Sequence, residues 1–224
     1  MNAQECRNCA LELVDCMRGL ARLGLSQGNS GNASVRGSPD GMLITPSGIA
    51  PASMHERQIV DMRLDGKAKA GSIVPSSEWP MHAAIYAARP EVTAIVHCHS
   101  RHATALACCA RDIPAFHYMV AIAGGDSVRC APYALFGSPE LAAHAVDALH
   151  ERRACLLANH GQITLGTTPE NALALAAEIE ELAAQYLATL RIGGPVLLGQ
   201  GEMSKVIARF RNYGQPQPPA HQSS

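Results

Sequence analysis

The sequence predicts a single-domain, three-layer α/β/α sandwich around a mixed, largely antiparallel central sheet. Three observations point there. Stretches of strand character alternate with amphipathic helical stretches, the pattern of a sheet covered by helices on both faces. The turn Asn159-His160-Gly161 joins two short apolar runs, Cys155 to Ala158 and Ile163 to Leu165, so at least one strand pair is antiparallel. A length of 224 residues, with no internal repeat and no interdomain linker, suits one hydrophobic core.

The elements follow in order. Leu11, Val14, Leu20 and Leu23 recur at helical spacing between about Gln4 and Leu23, and Gly24 stops that helix. Gln27 to Arg36 is turn-rich and then extended. Met42 to Thr45 and Ile59 to Leu64 read as strands, ended by Pro46-Ser47-Gly48 and Asp65-Gly66. Ser77 is placed to cap a helix with Glu78 and Pro80 in its first turn, running to about Ala88 before Pro90. Val92 to His97 is an apolar β-rich run. Ser138-Pro139 and Thr168-Pro169 repeat the cap-then-proline start, and the second opens a long helix with Leu173, Ala176, Ile179, Leu182, Ala183, Tyr186 and Leu190 on one face. The domain is expected to span residues 1–213, with a Pro- and Gln-rich flexible tail over 214–224.

Composition narrows the function. Hydrophobic residues make up 47% and charged residues 17%, a globular balance, and the formal net charge is −1. No long-range field draws nucleic acid or an anionic membrane, so an anionic ligand must be captured locally. No stretch approaches the roughly 20 apolar residues that span a bilayer. Glu5, Glu12 and Asp15 depart from the basic-then-apolar layout of a signal peptide, so the expected location is the cytoplasm. The eight cysteines lack metal-finger spacing, and Cys6 and Cys9 form a lone C-x-x-C in an amphipathic helix. Most of the eight are expected to be buried reduced thiols.

His97 and His99 stand two apart at the end of a strand, where alternate side chains share a face, and Cys98 between them points away. Zinc favours nitrogen ligands, and a catalytic site keeps one position open. His160, in the tight turn before Gly161, is the candidate third ligand. Ten histidines make chance pairs common, so the pair gains weight only beside Glu78 and the Gly-rich loops. His82, four residues after Glu78 on one helix face, could support the metal ligands from behind. His102 lies one turn beyond His99; His55, His144, His150 and His221 read as surface or helix-face residues.

Taken in order, Gln27-Gly28, Gly31-Asn32-Ala33-Ser34-Val35-Arg36, Leu43-Ile44-Thr45-Pro46-Ser47-Gly48, Ser76-Ser77-Glu78, Val96-His97-Cys98-His99 and Asn159-His160-Gly161 closely resemble the class II aldolase/adducin family. Ile113 to Met119 and Cys130 to Gly137 bring the resemblance to its aldolase branch, and it runs to Tyr213-Gly214. The resemblance implies zinc, one ion per subunit or another divalent metal, on His97, His99 and His160. Glu78 would ligate the resting metal and then move off as acid and base. Gly31, Asn32, Ser47, Gly48, Ser76 and Ser77 match the phosphate-holding positions. Tyr118 matches a catalytic tyrosine that reaches a neighbouring subunit's site, and Phe136, Phe210 and Tyr213 fall on the aldehyde side. The implied assembly is a homotetramer with active sites at subunit interfaces.

The residue chemistry agrees with those roles. Breaking a carbon–carbon bond beside a ketone leaves an enediolate, whose charge a Lewis-acidic zinc can stabilise. None of Lys67, Lys69 and Lys205 has an apolar setting suited to a Schiff base. Glu78 can shuttle the carbon-bound proton and Tyr118 can protonate the departing aldehyde oxygen. Backbone N–H groups of the Gly31-Asn32 and Ser47-Gly48 turns, with hydroxyls of Ser47, Ser76 and Ser77, can form an anion nest. The expected partner is a small phosphorylated sugar, a ketose 1-phosphate such as L-fuculose, 5-deoxypentulose or 5-methylthioribulose 1-phosphate, cleaved to dihydroxyacetone phosphate and a short aldehyde such as L-lactaldehyde. Methylthioribulose-phosphate dehydration, pentulose-phosphate 4-epimerisation and a non-catalytic adducin-like interaction module are the alternatives. Glu78, where the epimerase branch usually has aspartate, disfavours the second; the intact ligand set disfavours the third.

Overall fold

The computed structural model describes residues 1–211 of the chain; Tyr213, His221 and the expected tail lie outside the described residues. Helix α1 (Ala3–Arg22) opens on a capping box between Asn2 and Glu5. It is followed by strands β1 (Asn32–Ser38), β2 (Gly41–Ile44) and β3 (Val60–Arg63), helix α2 (Trp79–Ala88), strand β4 (Ala94–Cys98) and helix α3 (Arg101–Ala107). Then come a 3-10 segment (Tyr118–Ala123), β5 (Cys130–Ala131), α4 (Pro139–Ala148), β6 (Ala154–Leu157), β7 (Gly161–Gly166), α5 (Pro169–Arg191) and α6 (Gln200–Arg211). No helix among the described residues is long and apolar enough to cross a membrane.

The seven strands form one sheet in the order β3-β2-β1-β4-β7-β6-β5. Every pairing is antiparallel except β5 with β6, so the mixed, largely antiparallel sheet is as the sequence predicts. Helices lie on both faces. Ile95, Met42, Ile44 and Ile163 pack under α2 and α4. Ala94, Val96, Cys98, Ala33 and Val35 turn the other way, toward α1 and α5. Each fully buried aliphatic side chain in these layers contributes roughly 1.5–3 kcal/mol, which fixes the strand register, since a slip by one residue would reverse both faces.

That alternation decides where the polar side chains of the sheet go. Asn32 and Ser34 on β1, and His97 on β4, share the face covered by α2, because their neighbours Ala33, Val35, Val96 and Cys98 occupy the opposite face. Asn32 stands directly opposite His97.

Several expectations need correction. Leu11 and Leu23 are exposed; α1 buries Val14 and Leu20, as expected, together with Leu13 and Met17, which complete the 3.6-residue stripe. Helix α2 starts at Trp79 with Glu78 in the N-cap position, so Ser77 does not cap it and Glu78 is not a first-turn carboxylate. Strand β4 ends at Cys98, leaving His99 just beyond it. Only Cys16, Cys98 and Cys155 are buried, while Cys108 and Cys109 are exposed; all eight cysteines are free. By contrast, Ser138 and Thr168 accept hydrogen bonds from the N–H groups of Leu141 and Asn171 as helix caps.

Candidate metal and substrate site

Glu78, His97, His99 and His160 converge, with one ligand atom from each lying within 4.8 Å of all the others. Three different local causes bring them together. His97 comes from the interior of the sheet, His99 from the chain just after β4, and His160 from the β6–β7 turn, where Asn159 at φ 55° makes the tight reversal. Gly161 allows that turn to press against β4: a Cβ there would lie 2.5 Å from the Cys98 carbonyl and 2.8 Å from the His99 ring. Glu78 reaches in because its side chain accepts no helix N–H despite its N-cap position.

The geometry is close. His97 Nε2 lies 3.0 Å from His99 Nε2 and 3.1 Å from Glu78 Oε2, and His160 Nε2 lies 3.2 Å from Glu78 Oε1. The Nδ1–H of His97 donates to the Gln162 carbonyl at 2.9 Å, which aims its Nε2 at the centre. Burial works to raise the Glu78 carboxyl, but the adjacent His97 and His160 outweigh it and hold that carboxyl well below the usual range. Burial also opposes a charge on His97, yet Glu78 beside it shifts its pKa upward. His99 and His160 are pushed down to about 4, by burial first and then by His97. Both are neutral bases at ordinary pH.

These residues fit a divalent metal. Glu78 Oε1 is buried and accepts no hydrogen bond, and two imidazole nitrogens, His97 Nε2 and His99 Nε2, face each other at 3.0 Å. Ligands each about 2.1 Å from a tetrahedral zinc stand roughly 3.4 Å apart, close to the separations here. Cys98 is buried on the opposite face, so its exclusion holds.

Beside this cluster opens a cavity of about 370 Å³, bordered by Glu78, His99 and His160. The turns Gly31-Asn32, Ser47-Gly48 and Ser76-Ser77 form its other side. The amides of Gly31, Gly48 and Ser77 find no protein acceptor among the described residues. Gly31 is required there for two reasons: φ is 84°, and a Cβ would come within 2.6 Å of Ser26 Oγ. The cavity lining includes no lysine or arginine, so an anion held there would rest on amides and hydroxyls.

Two expected donors are committed elsewhere. The Ser47 N–H donates to the Val74 carbonyl at 3.0 Å. Asn32 gives its side-chain amide to Glu78 Oε2 at 2.9 Å, and its backbone belongs to a hydrogen-bonded pair of the ladder with His97: Arg36 donates to Thr93 two such pairs along, and these pairs recur every second residue. Asn32 therefore orients Glu78 with one N–H of its side-chain amide, and the residue also borders the cavity.

Phe136 borders the cavity, as expected, but Tyr118 and Phe210 do not. They line a separate apolar recess with Met119, Ile122 and Val206. Tyr213 falls outside the described residues. The sequence reading missed Asn29, Ser30, Tyr133 and Asn159, all on the cavity wall. Asn29 links two loops through a hydrogen bond to the Gly48 carbonyl, and its place in a turn-rich stretch was the available signal. His102 is held by Glu180 at 2.8 Å, away from the cluster. Lys67 and Lys205 pair with Asp65 and Glu202.

A model of the Class II Aldolase and Adducin N-terminal domain matches residues 11–187. The chain is 48% identical over 212 residues to a 5-methylthioribulose-1-phosphate/5-deoxyribulose-1-phosphate aldolase of Rhodospirillum rubrum, covering 93% of this chain and 95% of that protein. It is also 48% identical over 206 residues to the L-fuculose phosphate aldolase of Escherichia coli, covering 92% and 95%. A solved L-fuculose 1-phosphate aldolase superposes with a TM-score of 0.87 at 40% identity, over 91% of this chain and 96% of that one.

Proposed function

The chain belongs to the class II aldolase and adducin family, and within it we propose a zinc-dependent aldolase that reversibly cleaves a ketose 1-phosphate to dihydroxyacetone phosphate and a short aldehyde. The observation that carries this reading is the single cavity in which a metal-type cluster faces free amides and hydroxyls without a cationic side chain. Such a site suits a small molecule with a phosphate at one end and a carbonyl at the other. The relatives named above act on L-fuculose phosphate and on 5-deoxy or 5-methylthio ribulose 1-phosphates, which share that end and differ at the other.

His97, His99 and His160 would hold the ion, with Glu78 as a fourth, displaceable ligand. A zinc ion there would supply a Lewis acid for the negative charge of the enediolate. The amides of Gly31, Gly48 and Ser77 and the hydroxyls of Ser47, Ser76 and Ser77 bind the phosphate and fix the ketone relative to the cluster. In the condensation direction Glu78, ionised at rest, removes a proton from the carbon beside that ketone, and in cleavage it delivers that proton back to the enediolate carbon.

The aldehyde oxygen exchanges its proton with Tyr118 of an adjacent copy in a homotetramer: the phenol gives it in condensation and takes it from the substrate hydroxyl in cleavage. Two facts support that placement: Tyr118 is 51% exposed, and it does not border its own chain's cavity. Phe136 and Tyr133, both exposed at the cavity mouth, read the aldehyde end.

The test is to incubate the protein with L-fuculose, 5-deoxyribulose and 5-methylthioribulose 1-phosphates and assay dihydroxyacetone phosphate by coupled reduction. Its appearance with at least one substrate is expected. Substrate loss with release of water and no dihydroxyacetone phosphate would replace cleavage by dehydration.

A further inference from the structure

Behind Glu78 runs a buried row of polar side chains that the proposed chemistry leaves unused. Tyr86 Oη lies 2.9 Å from Ser34 Oγ, and Ser34 Oγ lies 2.7 Å from His82 Nδ1. His82 Nε2 lies 2.6 Å from Asn32 Oδ1, and Asn32 Nδ2 lies 2.9 Å from Glu78 Oε2. His82 and Ser34 have no exposed surface, and Tyr86 is 1% exposed.

The direction of every hydrogen bond in this row follows from its last member. An ionised carboxylate only accepts, so Asn32 must turn its NH2 to Glu78 and its oxygen to His82. That oxygen also only accepts, so His82 carries its proton on Nε2. His82 Nδ1 then accepts from the Ser34 hydroxyl, and Ser34 Oγ accepts from Tyr86. Four neutral donors point one way, toward a single oxygen.

The two carboxylate oxygens are thereby made unequal. Each oxygen adjoins one histidine, Oε2 His97 and Oε1 His160, but only Oε2 is held by Asn32, whereas Oε1 is buried and accepts no hydrogen bond. We propose that His82 is a positioning residue: by fixing the Asn32 amide it anchors Glu78 through Oε2 and sets the direction of its carboxylate. An Asn32 released from His82 could present its oxygen to the carboxylate instead, and the repulsion would turn Glu78 away. This inference builds on the proposed role of Glu78, but the orientation of the row needs only the distances and an ionised carboxylate.

The test uses the full-length, zinc-loaded protein. Nitrogen-15 NMR at pH 7 should show one neutral histidine protonated on Nε2 that disappears in His82→Gln. A cationic His82, or one protonated on Nδ1, would overturn the proposal. In parallel, His82→Leu should lower kcat about 10- to 100-fold and weaken zinc affinity, with KM within about threefold of wild type. His82→Gln, which keeps an amide donor for Asn32, should recover most of both. A folded His82→Leu with unchanged kcat and zinc affinity would overturn it, as would His82→Gln faring no better than His82→Leu; Asn32→Ala gives the same reading should His82→Leu fail to fold. The expected tautomer in a protein that makes no dihydroxyacetone phosphate would remove the aldolase reading and support the row. A cationic His82 in an active enzyme would do the reverse.

Discussion

The histidine–glutamate cluster and the recess around Tyr118 are two differently finished parts of one molecule. The cluster is complete within a single chain: its ligands come from the sheet and the start of α2, and buried partners hold His97 and Glu78 from behind. The recess is apolar, lined by Tyr118, Met119, Ile122, Val206, Arg209 and Phe210, and is separate from the cavity beside the cluster. The difference teaches a division of labour. Parts that hold and polarise must be preorganised, and a covered sheet face does this well. Parts proposed to recognise or protonate the far end of the substrate can come from another copy.

The largest effect expected should come from the finished part. Glu78→Gln keeps the shape but removes the proton acceptor, so kcat should fall by roughly 10²–10⁴-fold while the fold and some metal remain. Steady-state rates and metal content on one preparation check this; near-normal turnover would remove Glu78 from the chemistry.

The division itself is probed by Tyr118→Phe, expected to cost about 10²-fold in kcat. Because Tyr118 is proposed to serve a neighbour, co-expressing Glu78→Gln with Tyr118→Phe should restore part of the activity in mixed assemblies. No recovery would place both groups in one chain's site. Ser77→Ala should be milder: losing one hydrogen bond to a charged phosphate, worth about 1.5–3 kcal/mol, reduces kcat/KM by roughly 10- to 100-fold.

Two stability effects are smaller and concern the cluster's scaffold. Gly161→Ala drives a methyl against the Cys98 carbonyl, which is backbone and cannot swing aside, and should cost about 1–3 kcal/mol in denaturant titrations. Acid should also weaken the fold through His82, which burial pushes down to about 3, with the adjacent His97 adding to the effect. The unfolded chain binds that proton near the ordinary value of 6.5, so its contribution is full above that pH and is lost as pH falls below it. Between pH 7 and 5 the loss from this residue should be about 2 kcal/mol, and His82→Gln should be less acid-sensitive by a similar amount.

Much of this was legible in the sequence, for reasons visible in particular residues. Ser138 and Thr168 announce their helices because capping is local chemistry. The strand alternation around His97 turns its ring to the face opposite Cys98 with no knowledge of the rest of the fold. The short α3 and β5 gave too little periodic signal, whereas α6 carries a helical stripe, Met203, Val206, Ile207 and Phe210, that the sequence reading missed. Glu78 looked like a helix-start carboxylate, and only the approach of His97 and His160 from distant strands shows why it leaves the cap. Asn32 sat in a Gly-rich string and read as a phosphate donor; its engagement with Glu78 and His82 depends on β1 lying beside α2. Contacts that form across the sheet are not written in any local run of residues.

Whether the cluster holds a catalytic metal is decided by measuring metal content together with turnover. The expected result is one zinc per chain, loss of dihydroxyacetone phosphate formation when a chelator strips the ion, and recovery when zinc is returned. A stripped protein that cleaves its ketose 1-phosphate as fast as the loaded one would contradict the account.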